Sequence, residues 1–336
     1  MPLIVFSDKG FYCPAGDFYI DPWRPVKNAI ITHAHADHCR SGHKNYLAHH
    51  LSIPVMHYRL GKKIKVRGLE FGEETTINGV KISLHPAAHI LGSAQVRVEY
   101  KGEVWCVSGD YKTIDDGLSG AFEPVPCHNY VSECTFGLPV FNWKDQKFVE
   151  DDIRTWIQSN SEAGKLSVLV AYSLGKAQRL IKMFEDLEGS IYAHKAIHET
   201  SRAFSDVGVQ LPRTKLASNK TEMDNAKLLL VPPAASDSNW MKRMGNVSVG
   251  VCSGWMAMRG MRRRRSVDRG FVLSDHADWN GLIDAIKASE AEKIYLTHGY
   301  TEIFSKYLIE EGFDCGIVKT NFNANDLEQT EEEKES

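Results

Sequence analysis

The apolar run Ile30-Ile31-Thr32 leads straight into His33-Ala34-His35-Ala36-Asp37-His38, and no other stretch constrains the fold as tightly. Four ligand-type side chains fall within six residues. His33 and His35 alternate at strand spacing, so an extended loop can aim both the same way. Asp37 and His38 are expected to open a helix and face a second ion. Imidazole nitrogens suit Zn²⁺ at about 2.0–2.1 Å, an aspartate can complete or bridge the site, and a catalytic zinc keeps a position open for water. Two ions about 3.5–4 Å apart can share a hydroxide and clamp a phosphodiester. A solvated loop that merely happens to be histidine-rich explains neither the spacing nor the strand before it.

The remaining ligands have to come from afar, and one pattern points to them. Polar residues follow short apolar runs at Asp110 (after Val104–Gly109), Glu133 (after Tyr130–Ser132), His276 (after Phe271–Asp275) and His298 (after Ile294–Thr297). Loops at strand ends are where sheet proteins mount chemistry. His89, in the turn-like Ala87–Ser93, and His298 read as ligands, and Asp110 as a bridging ligand. Asp21, after Phe18-Tyr19-Ile20, reads as a residue that orients a ligand histidine through a hydrogen bond. His49, His50, His57, His85, His128, His194 and His198 lack this context and read as surface or structural. His43 could donate a hydrogen bond behind the ligands.

A chain of 336 residues can bury two domains, or one large domain with an insertion. A net charge of −3 gives no global basic field, so any nucleic-acid contact must be local. No apolar run approaches the roughly 20 residues that span a bilayer. Met1–Asp8 has neither the basic region nor the apolar segment of a signal peptide. Seven scattered cysteines without a Cys-x-x-Cys fit reduced thiols, hence a cytoplasmic location. Strands are expected at Leu3–Ser7, Phe18–Asp21, Ala29–Thr32, Val80–Leu84, Gln95–Tyr100 and Val104–Ser108. From Lys144 the texture changes to helix (144–160), strand (167–171), helix (175–185) and further alternation to about Cys252. A strand (271–273), a helix from Asp278, a strand (294–297) and a helix from Thr301 follow. Residues 326–336 read as a disordered acidic tail.

His33-x-His35-x-Asp37-His38, His89 and Asp110 resemble motifs two to four of the metallo-β-lactamase superfamily, and Asp21 resembles motif one. Glu133, His276 and His298 look like motifs A, B and C of its β-CASP nucleases. The resemblance covers nearly the whole chain in order. It implies an α/β fold, an αββα metallo-β-lactamase sandwich with an inserted α/β β-CASP cap. The sandwich would occupy 1–144 and 256–325, the cap 145–255. Ser253–Met256, Arg262–Phe271 and Ser274–Trp279 are similar to the bacterial ligase-associated DNA exonucleases. Ala171–Lys176 is similar to a terminal-phosphate pocket of the DNA cross-link-repair nucleases. DNA-specific members of the eukaryotic type carry valine where this chain has His298, so that position leans toward RNA and the others toward DNA.

Physical reading of the same segments supplies substrate contacts. Tyr172, Ser173, Gly175 and Lys176 end a strand and begin a helix, where free N–H groups, a hydroxyl and a positive charge favour phosphate. An ordinary helix cap with a solvated lysine is the alternative. Arg259, Arg262, Arg263, Arg264, Arg265 and Arg269 form the dense basic cluster, a candidate for backbone phosphates and equally a solvated face. Trp255 and Trp279 beside it suit base stacking or core packing.

The expected reaction is phosphodiester hydrolysis by a DNA 5′-exonuclease acting from a 5′-phosphate end. His33, His35, His89 and Asp110 would hold one ion, and Asp37, His38, Asp110 and His298 the other, Zn²⁺ or else Mn²⁺. A shared hydroxide would attack, His276 would protonate the leaving oxygen, and Glu133 would keep His276 oriented and protonated. The expected partners are DNA, as single strands or strand ends, and a DNA ligase and helicase in repair, with no membrane. An RNA-processing exo- or endoribonuclease, a small-molecule hydrolase and a non-catalytic metal scaffold are the competing readings.

Overall fold

The computed structural model describes residues 2–218, 223–260 and 267–318. The chain divides into two compact units, Met1–Phe141 with His276–Thr330, and Asn142–Asp275, as far as these are described. The first unit opens with short strands that are mostly buried or half-buried. β1 (Val5–Ser7), β2 (Gly10–Cys13), β3 (Phe18–Ile20), β4 (Asn28–Ile30), β5 (Asn45–His49) and β6 (Val66–Leu69) form one sheet in that order. It is antiparallel through β3 and parallel from there on. β7 (Glu74–Ile77), β8 (Val80–Pro86), β9 (Ala94–Tyr100), β10 (Glu103–Val107) and β11 (Asn129–Cys134) build a second sheet. Its hairpins turn at Asn78-Gly79 and Lys101-Gly102, all four residues with positive φ, as two-residue hairpins require.

The second unit is a parallel sheet. β12 (Leu166–Val170), β13 (Ile191–Ala193), β14 (Lys215–Leu216), β15 (Leu228–Val231), β16 (Val247–Cys252) and β17 (Arg269–Phe271) lie in the order β14-β13-β15-β12-β16-β17. Leu228–Val231 is buried throughout, the continuous apolar run that a covered parallel strand needs. Ile153 and Ile157 of the helix Gln146–Glu162, Leu180 and Ile181 of Lys176–Met183, and Ile197 of Lys195–Ser205 complete its core. The sequence places the end of the insertion at 255. The unit runs on to Asp275, because β17 adds to β16 in the same sheet.

The chain then returns to the first unit. β18 (Lys293–Gly299) pairs in parallel with β11, and β19 (Asp314–Ile317) with β18. Phe18, Ile20 and Leu47 of the first sheet share one buried cluster with Ile82, Val96 and Val107 of the second, so the two sheets pack face to face. The helices Trp279–Ala288 and Thr301–Glu310 put Leu282, Ile286, Phe304 and Leu308 into another cluster, with Tyr130 and Leu296 of the second sheet. Among the described residues no helix is long and apolar enough to cross a membrane. The expected tail at 326–336 lies outside the described residues.

A β-bulge interrupts β11 and β18: Glu133 faces Thr297 while Cys134 faces Gly299, so His298 steps out of the ladder at φ +53°. Such a bulge re-aims one side chain out of the pleat. Gly299 follows at φ +92°, and a Cβ there would overlap the Cys134 carbonyl. Gly299→Ala is therefore expected to destabilise the protein by about 3 kcal/mol or more, read by denaturant unfolding.

Candidate metal centre

The centre is built backward from Asp21, which follows β3 at φ +43°. Its Oδ1 accepts the Thr32 backbone N–H at 2.8 Å, and its Oδ2 accepts the Thr32 hydroxyl at 2.5 Å and His38 Nδ1 at 2.7 Å. With the Thr32 proton given to Asp21, the Thr32 oxygen accepts from His33 Nδ1 at 3.1 Å. His33 thereby carries its proton on Nδ1 and presents the Nε2 lone pair to its neighbours. A carboxylate behind a histidine fixing tautomer and ring angle is the usual support of a metal ligand.

His33 Nε2 and His89 Nε2 each lie 3.1 Å from His35 Nδ1. Asp110 Oδ2 lies 3.6 Å from His33 Nε2, 3.4 Å from His38 Nε2 and 3.9 Å from His89 Nε2. A proton between imidazoles can serve only one of the two contacts at His35 Nδ1. Tetrahedral zinc with ligands at about 2.0–2.1 Å would set its donors about 3.4 Å apart, inside this range. The donor set of His33, His35, His89 and Asp110, all within 4.8 Å, fits a cation.

At His33 and Asp110 the electrostatics agree with that chemistry. Burial and the neighbouring His38 push the His33 imidazole well below its ordinary value, keeping it neutral as a ligand must be. Burial opposes the charge on Asp110, but His38, then His33 and His276, outweigh it and hold the carboxyl well below the usual range. Burial also pulls on His38, where Asp110 and Asp37 prevail and hold it well above. His298 is lowered by burial and by His38.

Asp37, His38 and His298 line one cavity with Asp21, Trp23, Gly109 and Thr297. The His38 and His298 ring centroids are 5.4 Å apart. Asp37 and His38 do not open a helix. They occupy a single turn, closed by Cys39 N to His35 O at 2.8 Å, and Gly42 at φ +93° redirects the chain before a second turn can form. Asp110 follows β10 through Gly109 at φ +58°, whose Cα lies against Thr32.

A proton-handling pair sits beside the ligands. His276 Nδ1 lies 2.8 and 3.0 Å from the two oxygens of Glu133. Glu133, buried within β11, also accepts Tyr111 N at 2.8 Å and Thr135 N at 3.3 Å. The acidic side chain therefore accepts a hydrogen bond from His276 Nδ1–H and leaves Nε2 as the ring's other face. The His276 ring centroid is 4.5 Å from that of His89, and ligand atoms of Asp110, Glu133 and His276 lie within 4.8 Å of one another.

No family model matches the chain. It is 28% identical over 326 residues to a protein of Opitutus terrae named "Probable DNA ligase", covering 95% of this chain and 31% of that protein. It is 25% identical over 203 residues to the "RNase J-like protein" of Methanocaldococcus jannaschii, covering 53% of this chain and 48% of that one. It is 29% identical over 122 residues to the "RNase aCSPSF2" of Saccharolobus solfataricus, covering 34% and 24% respectively. These similarities to proteins named as RNases and as a probable DNA ligase agree with the resemblance to the β-CASP nucleases of the metallo-β-lactamase fold. The chain spans less than half the length of each of these three relatives.

The expected phosphate contacts lie in the second unit. Gly175, at φ +96°, precedes the helix Lys176–Met183, and its N–H donates to Gln178 Oε1 at 2.7 Å. Gln178 Nε2 reaches back to the Ser173 carbonyl at 2.9 Å, so Gln178 organises this helix start. Lys176 is not solvated: its Nζ lies 3.2 Å from Asp275 and 5.1 Å from the Tyr172 ring centroid. Arg179 donates to the other Asp275 oxygen at 3.0 Å and to the Ser274 carbonyl at 2.6 Å. Sequence reading missed Gln178, Arg179 and Asp275. Only the polar residue three positions after Gly175 was a local signal for any of them.

Arg262, Arg263, Arg264 and Arg265 lie outside the described residues. Arg259 is exposed, and Arg269 pairs with Asp152 at 2.6 Å. Trp255 is buried, and Trp279 packs on Phe304 and Tyr307, which favours the packing reading of both. His43 accepts Val26 N–H on Nδ1 at 3.2 Å, and burial pulls it down to about 4. Because the folded pKa is depressed below the unfolded 6.5, the unfolded chain takes up the proton first, and stability falls as pH drops from 6.5 toward 4. Over that window the wild type is expected to lose about 1.4 kcal/mol per pH unit relative to His43→Asn in paired denaturation curves. A constant difference would contradict this.

Proposed function

We propose that the chain is a divalent-metal-dependent DNA exonuclease working from 5′-phosphate ends. The observation that carries this reading is the convergence of His33, His35, His89 and Asp110 beside the Glu133–His276 pair. In this reading the first unit is the αββα sandwich and the second the β-CASP cap. His33, His35, His89 and Asp110 would hold one ion, and Asp37, His38, Asp110 and His298 the other, with zinc suited to this donor set and manganese the alternative. Ions bound there supply water acidified to near neutral pH and positive charge for the phosphoryl oxygens.

The chain's own residues do the rest. Asp21 and Thr32 hold the His33 and His38 rings in fixed orientations. Glu133, pinned by the Tyr111 and Thr135 amides, fixes the His276 ring, so that Nε2 delivers the proton to the leaving oxygen. Because Tyr111 adjoins Asp110, one backbone step links the ligand to the support of the proton donor.

DNA is favoured because the match to the protein named as a ligase extends over 95% of this chain, whereas those to the two RNases cover 34% and 53%. The same match supports work beside a DNA ligase, and by extension a helicase, in repair. The RNase relatives and His298 favour an RNA-processing exo- or endonuclease as the second reading. End-labelled DNA and RNA of one sequence, each with and without a 5′ phosphate, separate these. The proposal expects DNA with a 5′ phosphate to be degraded fastest. Faster cleavage of RNA would overturn the DNA reading. Equal rates with and without the phosphate would remove the role proposed for Tyr172, Ser173, Gly175 and Lys176.

A further inference from the structure

A second histidine cluster lies in the first unit, where β5 ends and the turn after it begins. β5 and β6 run in parallel with His49 opposite Leu69, so the next residues along, His50 and Glu70, emerge side by side. Gly68 permits the close approach, since a Cβ there would lie 3.1 Å from His50 Cβ. His50 Nδ1 is 2.9 Å from Glu70 Oε2. One nitrogen of each histidine and one oxygen of Glu70 all lie within 4.8 Å of one another.

An ordinary surface ion pair would explain His50 and Glu70 but not His49. His49 is 1% exposed, and its ring is stacked on Phe71 with centroids 3.7 Å apart. Nδ1 accepts the Leu51 N–H at 3.4 Å, while the buried Nε2 has no hydrogen-bond partner among the described residues. An unmet buried polar atom costs about 1–3 kcal/mol. Burial and His50 also pull this imidazole down to about 3, which removes proton competition for a cation. The Glu70 side is open to solvent, at 67% side-chain exposure, and offers a route in.

We propose that His49, His50 and Glu70 form a binding site for a divalent transition cation that clips the edge strand β6 to β5. Two imidazoles and a carboxylate with a coordination position left for water suit zinc. The site needs no nuclease activity and does not rest on the function proposed above.

The test is equilibrium dialysis of chelator-stripped protein against zinc alone, with bound zinc counted per chain. His50→Gln and Glu70→Gln are each expected to bind one equivalent less than wild type, with nuclease turnover unchanged. Asp110→Asn is expected to lose zinc elsewhere and to retain the equivalent that these variants lack. A zinc count in His50→Gln and Glu70→Gln equal to wild type would overturn the site, whatever Asp110→Asn does. Circular dichroism of both variants distinguishes a lost site from a lost fold, and both substitutions are at partly exposed side chains.

Discussion

Replacing Asp110 with Asn is expected to lower nuclease turnover by about 10³-fold or more while the fold persists. The carboxylate is the meeting point of the centre, 3.4–3.9 Å from nitrogens of His33, His38 and His89. Asparagine keeps the volume and one carbonyl oxygen. It removes the negative charge that burial alone would disfavour and that the surrounding imidazoles sustain. It also removes one of the two oxygens through which a single residue could serve both ions. Bound metal per chain should fall with activity, and the thermal midpoint of unfolding in chelator should change little. Wild-type turnover in a purified Asp110→Asn protein would show that the metal assignment is wrong.

His276→Ala is the second large effect, an expected loss of about 10²–10⁴-fold in kcat with bound metal unchanged. The decisive readout is the leaving group. A nucleoside p-nitrophenyl phosphodiester expels a phenolate that needs no proton, so the loss should largely vanish on that substrate. Glu133→Gln should behave in the same way with a smaller loss. It keeps an acceptor for His276 Nδ1 but lacks the carboxylate's charge. An equal loss on both substrates would mean that His276 does not donate a proton to the leaving oxygen.

What could be read in advance follows from how locally each feature is encoded. The His33–His38 run was legible because an extended loop keeps its alternation. Asp110 and His298 each follow a short apolar run and His89 lies in a turn-like segment; the structure groups His89 with Asp110, and His298 with Asp37 and His38. The helix expected at Asp37 fails for a local reason that propensity does not capture. Both side chains are committed to the centre, and Gly42 turns the chain. β5 and β6 went unread, since Asn45–His49 and Val66–Leu69 mix polar residues and glycine into runs of five and four residues. The Lys176–Asp275–Arg179 network was invisible because its members are separated by up to 99 positions (275 − 176), and such pairs leave no periodicity. It changed the reading of Lys176 from a free charge at a helix start to a buried, paired one. The second unit extends past the expected boundary at 255 because β17, three residues long, joins β16 across a connection rich in arginine.

The central claim is that cleavage depends on cations held by the His33, His35, His89 and Asp110 group. The most direct measurement is the digestion of 5′-phosphorylated, end-labelled DNA by the chelator-stripped protein, before and after stepwise return of zinc or manganese. The account predicts no cleavage when stripped, and recovery that tracks ion binding in wild type but not in Asp110→Asn. Cleavage at full rate by the stripped protein, or equal recovery in Asp110→Asn, would contradict it.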